Sequence, residues 1–502
     1  ALLVERQIEE ALNILQQAQQ IQLNKLGEHE LETARVYSTH AEALIANGKC
    51  GEATTMMRRS HELLDRHLLR QLTLPEYTDF ERQKLVARLS GSTSRSVSLS
   101  LDASQPCSGM VGIAFEAVLR RKARAAETQT MLFAQLRRNM TPDDQEALNS
   151  YIQAVTEASM QALKGQVKEP QSVVTKGHRL PEKGYLEQGV AARSLRFATQ
   201  KAEVSLSAIQ SALPSDSVLV EFVQFELSQF PWKSPNGSDG TNYAAFVMTS
   251  EGKIHRVNLG PKDLIDAQIH QLRKAIGDCP NEGGACPNSL TNTRTEARKL
   301  YQQVWAPLLP FLSNASHALI SPDGNLNLLP FTALVAPEGP YLLEEMRLTY
   351  LSSARDLLRL NKSSRVRGHS AIIAAPAFGN GGQAPDRTNA NQSSLGPINQ
   401  PGQLQRLRWP DLPGTRKEAN IIQGLLQQPQ VALGPEATET FLKELQGPFI
   451  LHIATHGYFL GGSEISGDRG IRLVPTGDGQ EKLPALSDPG LNSGLVLAGG
   501  SG

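Results

Sequence analysis

Apolar residues recur at helical spacing from the opening "ALLVERQIEEALNILQQAQQ" to about residue 165, with few strand signals between. Two stretches within this region align on Glu-Ala, "EEALNILQQAQQI" from Glu9 and "GEATTMMRRSHEL" from Gly51. Ala11 then pairs with Ala53, Leu15 with Met57 and Ala18 with Ser60, a period of 42 residues (Ala11 to Ala53). Small, large and small side chains at these offsets let one helix lie close against its neighbours. The intervening "ARVYSTHAEALIANGKCGEA" reads as helix, Asn-Gly turn, helix. Helical spacing continues through "VGIAFEAVLRRKARAAETQTMLFAQLRR" and "DDQEALNSYIQAVTEASMQALKG".

Residues 166 to about 195 read as a linker or irregular segment, followed by a helix over Phe197–Leu213. At Pro214 the pattern changes. "SVLVEFVQFEL", "YAAFVMTSEGKIHRVNLG" and "HALISPDGNLNLLPFTAL" are short β-rich runs bounded by Gly, Pro, Asn and Asp. Helical stretches, "KDLIDAQIHQLRKAIG" and "RTEARKLYQQVWAPLLPFL", fall between them, and that alternation argues for an α/β domain. "GHSAIIAAPAF" is a buried strand, and a polar insert from Gly379 to about Pro410 follows, expected to be mobile. Two helices, "GTRKEANIIQGLLQQ" and "EATETFLKELQ", lead to a strand over Phe449–Ala454.

Composition narrows the function classes. Lys plus Arg number 50 and Asp plus Glu number 50, so net charge supplies no drive toward nucleic acid or an anionic membrane. No apolar run reaches the roughly 18 residues of a membrane span, and the amphipathic start does not read as a signal peptide. Neither a Walker A stretch nor a GxGxxG follows a strand. Four cysteines, Cys50, Cys107, Cys279 and Cys286, are too few for a disulfide framework in 502 residues and suggest a reducing, cytoplasmic setting. The spacing of Cys279 and Cys286 fits neither CxxC nor a zinc knuckle. No cofactor or metal is expected.

The candidate chemistry lies in "FILHIATHGYFL", Phe449–Leu460. A nearly continuous apolar run suits a parallel strand covered on both faces. His456 comes two residues after it, at the carboxyl end where active sites of α/β sheets form. An imidazole there can accept a thiol proton near neutral pH. Gly457 could adopt positive φ and let a substrate backbone approach its N–H. His452, inside the strand, reads as a hydrogen-bonded core histidine.

The helical region resembles a tetratricopeptide repeat (TPR) in its longer-period form, with Tyr37, Ala41, Gly48 and Ala53 at the expected offsets. A plain helical bundle is the alternative. The chain as a whole resembles the CHAT family, caspase-like domains associated with tetratricopeptide repeats, of the caspase–separase clan of cysteine peptidases. The resemblance rests on eight blocks in order. They are "LVEFV" (Leu219–Val223), "YAAFV" (Tyr243–Val247), "ISPDGNLNLLPFTAL" (Ile320–Leu334) and "LSSARDLLRL" (Leu351–Leu360). "LPGTRKEA" (Leu412–Ala419), "GPEATETFLKEL" (Gly434–Leu445), "LHIATHGYF" (Leu451–Phe459) and "SGLVLAG" (Ser493–Gly499) complete the set. "VLRRKARAAE", after the repeats, fits the same architecture.

The resemblance implies an α plus α/β chain. Residues 1–165 would be TPR-like repeats and 166–213 a linker with a connecting helix. Residues 214–362 would be a non-catalytic pseudo-caspase half, and 363–502 a catalytic caspase-like half, truncated at its C-terminus. His456 matches the histidine of the Cys–His dyad and Gly457 the glycine whose N–H helps form the oxyanion hole. The family's cysteine follows in a Ser-Ala-Cys-x-Thr-Gly-like motif on the next core strand, and none of the four cysteines here lies in one. The chain therefore reads as a fragment of a longer gene product, a divergent truncated member being the alternative. The strand Phe449–Ala454 would then present an unpaired edge or an uncovered face.

Asp323 and Arg355 read as structural. The segment after His456, "GGSEISGDRGIRLVPTGDGQEKLP", would border the substrate cleft, with Glu464, Asp468 and Glu481 as solvated charges or a preference for basic residues. The expected function is a cytoplasmic cysteine endopeptidase whose repeats recruit a protein or peptide substrate or a regulatory protein. The alternative is a scaffold or pseudo-protease acting through protein–protein contacts.

Overall fold

The computed structural model describes residues 7–25, 31–72, 77–102, 107–124, 141–163, 172–175, 178–181, 204–228, 240–277, 287–312, 315–337, 339–360, 368–378, 411–445, 447–459 and 493–499, with a few single positions besides. Cys279, Cys286, Glu464, Asp468, Glu481 and nearly all of the 379–410 insert lie outside the described residues. The chain forms two compact units: Ala1–Met140 with Ala191–Lys362, and Thr141–Val190 with Ser363–Gly502.

The first unit begins with helices α1 (Ile8–Lys25), α2 (Leu31–Ala46), α3 (Cys50–Leu72), α4 (Asp79–Arg88), α5 (Ser90–Leu101) and α6 (Gly109–Arg121). Of the residues aligned at the repeat offsets, Ala11, Ala53, Met57 and Ser60 are buried and Leu15 and Ala18 are part-buried, and Ser60 Oγ donates to the Ala34 carbonyl at 2.7 Å. The Asn-Gly turn ends α2 by a definite device. Gly48 takes φ +73°, its N–H donates to Ile45 O at 2.9 Å, and Lys49 N–H donates to Leu44 O at 2.8 Å. This is a Schellman closure, which satisfies the last carbonyls of the helix and favours glycine at the left-handed position. α3 and α6 lie side by side in the same direction. Met57, Met110 and Ile113 share a core, Arg58 reaches Glu116 at 3.5 Å, and Asp65 meets Arg120 and Arg121.

In the second unit, helix Pro142–Leu163 precedes a hairpin of β1 (Ser172–Thr175) and β2 (His178–Pro181), within the stretch expected as a linker. The helix expected over Phe197–Leu213 is described over Leu206–Ala212.

The strands of the first unit are β3 (Ser217–Glu226), β4 (Thr241–Thr249), β5 (Ile254–Pro261), β6 (His317–Ser321) and β7 (Arg347–Tyr350), in sheet order β5-β4-β3-β6-β7. β4 runs antiparallel to β3 and β5, while β3, β6 and β7 are mutually parallel. Both faces are covered. Val218, Val220, Phe222 and Tyr243 pack with Ile265, Ile269, Leu300 and Trp305 from the helices that follow β5. Leu219, Val223, Phe246 and Leu319 pack with Val97, Val111, Phe115 and Val118 from α5 and α6. That double coverage explains why β3 and β4 are buried almost throughout rather than at alternate positions. The helical region and the 214–362 sheet thus share one core.

Buried charge joins the same two parts. α6 ends in Arg120-Arg121-Lys122, and Ala123 takes φ +54°, which turns the chain out of the helix. Lys122 Nζ sits 2.7 Å from Glu221 Oε1 and donates to the carbonyls of Phe222 and Ser321 at 2.8 Å each. Glu221 is fully buried on β3 and also accepts from Ser321 Oγ and from the Ala354 N–H, both at 2.8 Å. Arg355, likewise buried, pairs with Glu127 at 2.9 Å and donates to the carbonyls of Leu119 and Lys122. Arg121 Nε meets Asp65 Oδ1 at 2.8 Å, and its Nη2 donates to His61 Nδ1 at 2.7 Å. His61 Nε2–H, by that assignment of the tautomer, donates to Ser96 Oγ at 2.7 Å.

Breaking the Lys122–Glu221 pair on one side strands an ammonium in the core. Glu221→Ala is expected to cost about 3–5 kcal/mol in urea unfolding, and joint replacement by Glu221→Leu with Lys122→Met markedly less. Burial, and then the charges of Arg121 and Arg120, hold His61 well below the ordinary imidazole value of 6.5. The unfolded chain takes up that proton near pH 6.5 and the folded chain does not. The stability His61 contributes is present above pH 6.5 and is lost as pH falls below it. Urea unfolding between pH 7.5 and 5.5 should show stability falling by about 1 kcal/mol per pH unit below 6.5, and His61→Asn should flatten that slope.

Candidate active site

The second unit carries three parallel strands, β8 (Ala371–Pro376), β9 (Gln430–Gly434) and β10 (Leu451–Ala454), with β8 in the middle. Helix Pro413–Leu425 connects β8 to β9 on one side, and the chain then crosses to place β10 on the other. Ala419 of that helix packs with Ile372, Ala374 and Ala454, and Ile422 and Leu426 border the cluster. Connections leave β8 in one direction and arrive at β10 from the other, so the order reverses between them. Side chains converge beyond the carboxyl ends of strands at such a switch point.

Three segments meet there. β8 leaves its ladder through a bulge between Ala374 and Pro376, where Ala375 takes φ +45° and its N–H donates to Thr415 Oγ1 at 3.1 Å. A non-glycine residue in the left-handed region stores about 1–2 kcal/mol of strain. Ala377 N–H then donates to Gly434 O at 3.0 Å, and buried Phe378 follows. From β10 come Thr455, His456 and Gly457, the last opening β11 (Gly457–Phe459), which pairs antiparallel with β12 (Ser493–Leu495). The continuation of β12 holds the other two segments. Val496 N–H donates to His456 O, Ala498 N–H to Ala437 O and Gly499 N–H to Ala377 O, each at 2.9 Å. Thr455 Oγ1 donates to Val496 O. The block "SGLVLAG" thereby closes the carboxyl ends of all three strands with backbone hydrogen bonds.

His456 is half-buried. Its ring lies against Phe378, with centroids 5.2 Å apart, and against Trp409, at 5.3 Å. The sequence reading missed both neighbours. Phe378 ends the strand run "AIIAAPAF", and Trp409 is a large aromatic in an otherwise polar insert; each is a signal that could have been used.

Gly457 differs from expectation. It is not among the residues with positive φ, and a Cβ added to it would meet Gly494 O at 3.7 Å and Leu495 Cδ2 at 3.8 Å, ordinary contacts. Its value lies elsewhere. Gly457 is opposite Leu495, and the Val496 N–H to His456 O bond makes this a non-hydrogen-bonded pair. The Gly457 N–H therefore points away from β12, on an exposed residue.

Two further expectations are corrected. β10 is not covered on both faces: Phe449, Ile450 and Leu451 are exposed, and among the described residues it pairs with β8 alone, which leaves the unpaired edge that was the other expectation for this strand. A continuous apolar run signals apolar surroundings but carries no count of neighbouring strands. His452 is not a core residue. It is part-exposed, with Nε2 3.2 Å from Glu418 Oε1 on helix Pro413–Leu425.

Asp323 of the first unit accepts from Gln224 N–H at 2.8 Å and Gly324 N–H at 3.0 Å, and so opens the turn after β6. Cys50 and Cys107 face each other in the first unit. Among the described residues, no group of three or more His, Cys, Asp or Glu could hold a metal ion, and no helix is long and apolar enough to cross a membrane.

Residues 294–502 match the family model of the CHAT domain. The chain carries a CHAT domain. The match takes in β6 and β7 of the first unit, the three-stranded sheet, His456 and the β12 block. Of the eight sequence blocks, only "LVEFV" and "YAAFV" lie before it. No curated protein matches the chain.

Two glycines of the CHAT domain separate backbone need from local room. Gly434, at φ +57° with Arg416 Nη2 3.4 Å from a built Cβ, should lose about 1 kcal/mol on change to Ala. Gly457→Ala should stay within about 0.5 kcal/mol of wild type. Paired thermal melts of the two variants check this.

Proposed function

We propose that this chain supplies the general base and an oxyanion donor of a CHAT-type cysteine endopeptidase, with the attacking thiol coming from outside these 502 residues. The observation that carries the reading is the pairing of an imidazole with an outward N–H, His456 then Gly457, beyond β10 at the switch point of a CHAT-domain sheet. His456 takes the thiol proton as the sulfur attacks the scissile carbonyl, and returns it to the leaving amine. The Gly457 N–H donates to the developing oxyanion, a contact worth about 10²–10³ in rate. The β12 block supports both roles by fixing the backbone on either side of the imidazole.

In this reading residues 214–362 are the non-catalytic caspase-like half. Residues 1–165 are TPR-like helices that recruit a protein substrate or regulator in the cytoplasm. The scaffold alternative predicts partner binding without cleavage, equal in wild type and His456→Ala.

The test is cleavage of candidate protein substrates by the full gene product. His456→Ala is expected to reduce the rate by at least about 10³-fold, with partner binding unchanged. Cleavage undiminished in His456→Ala overturns the dyad.

A further inference from the structure

Cys50 is the first residue of α3, and Cys107 lies two residues before α6. Their Cα atoms are 5.6 Å apart and their sulfurs are in contact. That separation lies within the roughly 4.4–6.8 Å that a disulfide spans. The close approach is built into the neighbouring residues. Gly109 opens α6 against Thr54 of α3, and a Cβ there would fall 2.5 Å from Thr54 Cγ2, so a larger residue would force the Thr54 side chain to shift. Leu44, Ala53, Met57, Met110 and Ile113 pack around the pair. Cys107 is buried and Cys50 half-buried, so Cys50 is the sulfur that a small reagent reaches.

We propose that Cys50 and Cys107 are a reversible redox link between α3 and α6, closed by a low-molecular-weight disulfide such as oxidised glutathione and opened by thiols. The Cys50 thiolate attacks one sulfur of the reagent, forms a mixed disulfide and releases one glutathione thiolate. The Cys107 thiolate then attacks the Cys50 sulfur and releases the second. Two protein thiols are oxidised, one small disulfide is reduced to two thiols, and the two protons given up by the cysteines are taken up by the two released glutathione thiolates.

The closed link bridges 57 residues of chain. It pins the leading ends of two helices whose trailing ends are already joined through Asp65 with Arg120 and Arg121. α6 is also the helix that delivers Lys122 into the sheet, so the link ties the repeat-like helices to the element that anchors the 214–362 core. A chain of a reducing compartment would carry the open form, and oxidation would stiffen the helical region. Nothing in this inference depends on peptidase activity.

The test equilibrates the whole chain with oxidised or reduced glutathione, blocks remaining thiols with iodoacetamide and maps peptides by mass spectrometry. Oxidised samples should yield a peptide joining Cys50 to Cys107, and reduced samples should carry the label on both. The oxidised wild type should melt several degrees above the reduced one. Cys107→Ser should abolish that difference, and Cys279→Ser with Cys286→Ser should preserve it. If Cys107→Ser does not fold, Cys50→Ser serves, because that residue is half-buried at a helix start. Labelling of both cysteines after oxidation, a link from either to Cys279 or Cys286, or a melting difference that survives loss of Cys107 overturns the proposal.

Discussion

One ion pair, Lys122 with Glu221, fixes how the first unit is assembled. A carboxylate with no exposure in the middle of a β-sheet is tolerable only if a cation reaches it and its remaining lone pairs are filled. Lys122, Ser321 and the Ala354 N–H do this together, and each comes from a different part of the chain. The ammonium in turn donates to the carbonyl of Phe222 within β3 and to that of Ser321 at the end of β6. Because Lys122 ends α6, the sheet and the helical region share one polar anchor as well as one apolar core.

The surrounding charges extend the same logic. Arg121 closes on Asp65 and His61, and Arg355 closes on Glu127 and the last carbonyls of α6. Each guanidinium joins elements distant in sequence, which makes the run Arg120–Arg124 a hub rather than a solvated basic patch. The positive φ at Ala123 lets consecutive residues of that run aim at different partners.

The CHAT-domain site is held by a different means. Its anchors are backbone hydrogen bonds from Val496, Ala498 and Gly499, so the imidazole and the outward N–H are fixed by main chain while the surrounding side chains remain aromatic or small. A strained Ala375 and a bulge stand at the end of β8, beside the histidine, where backbone strain gathers in functional sites.

Much of this was legible in residue order. Helical spacing with small residues at Ala11, Ala53 and Ser60, β-rich runs bounded by turn formers, and Thr-His-Gly after an apolar strand are local patterns, and local geometry decides what they form. The Asn47-Gly48 stop was readable for the same reason: only glycine takes that backbone at little cost. What residue order could not carry was partnership across distance. That Glu221 receives Lys122 from 99 positions upstream, that Cys50 meets Cys107, that Phe378 and Trp409 lie against His456, and that the Gly457 N–H points away from β12 without positive φ all depend on packing and strand register. Those are properties of the whole folded chain, set by which surfaces must leave water together, and no local pattern encodes them.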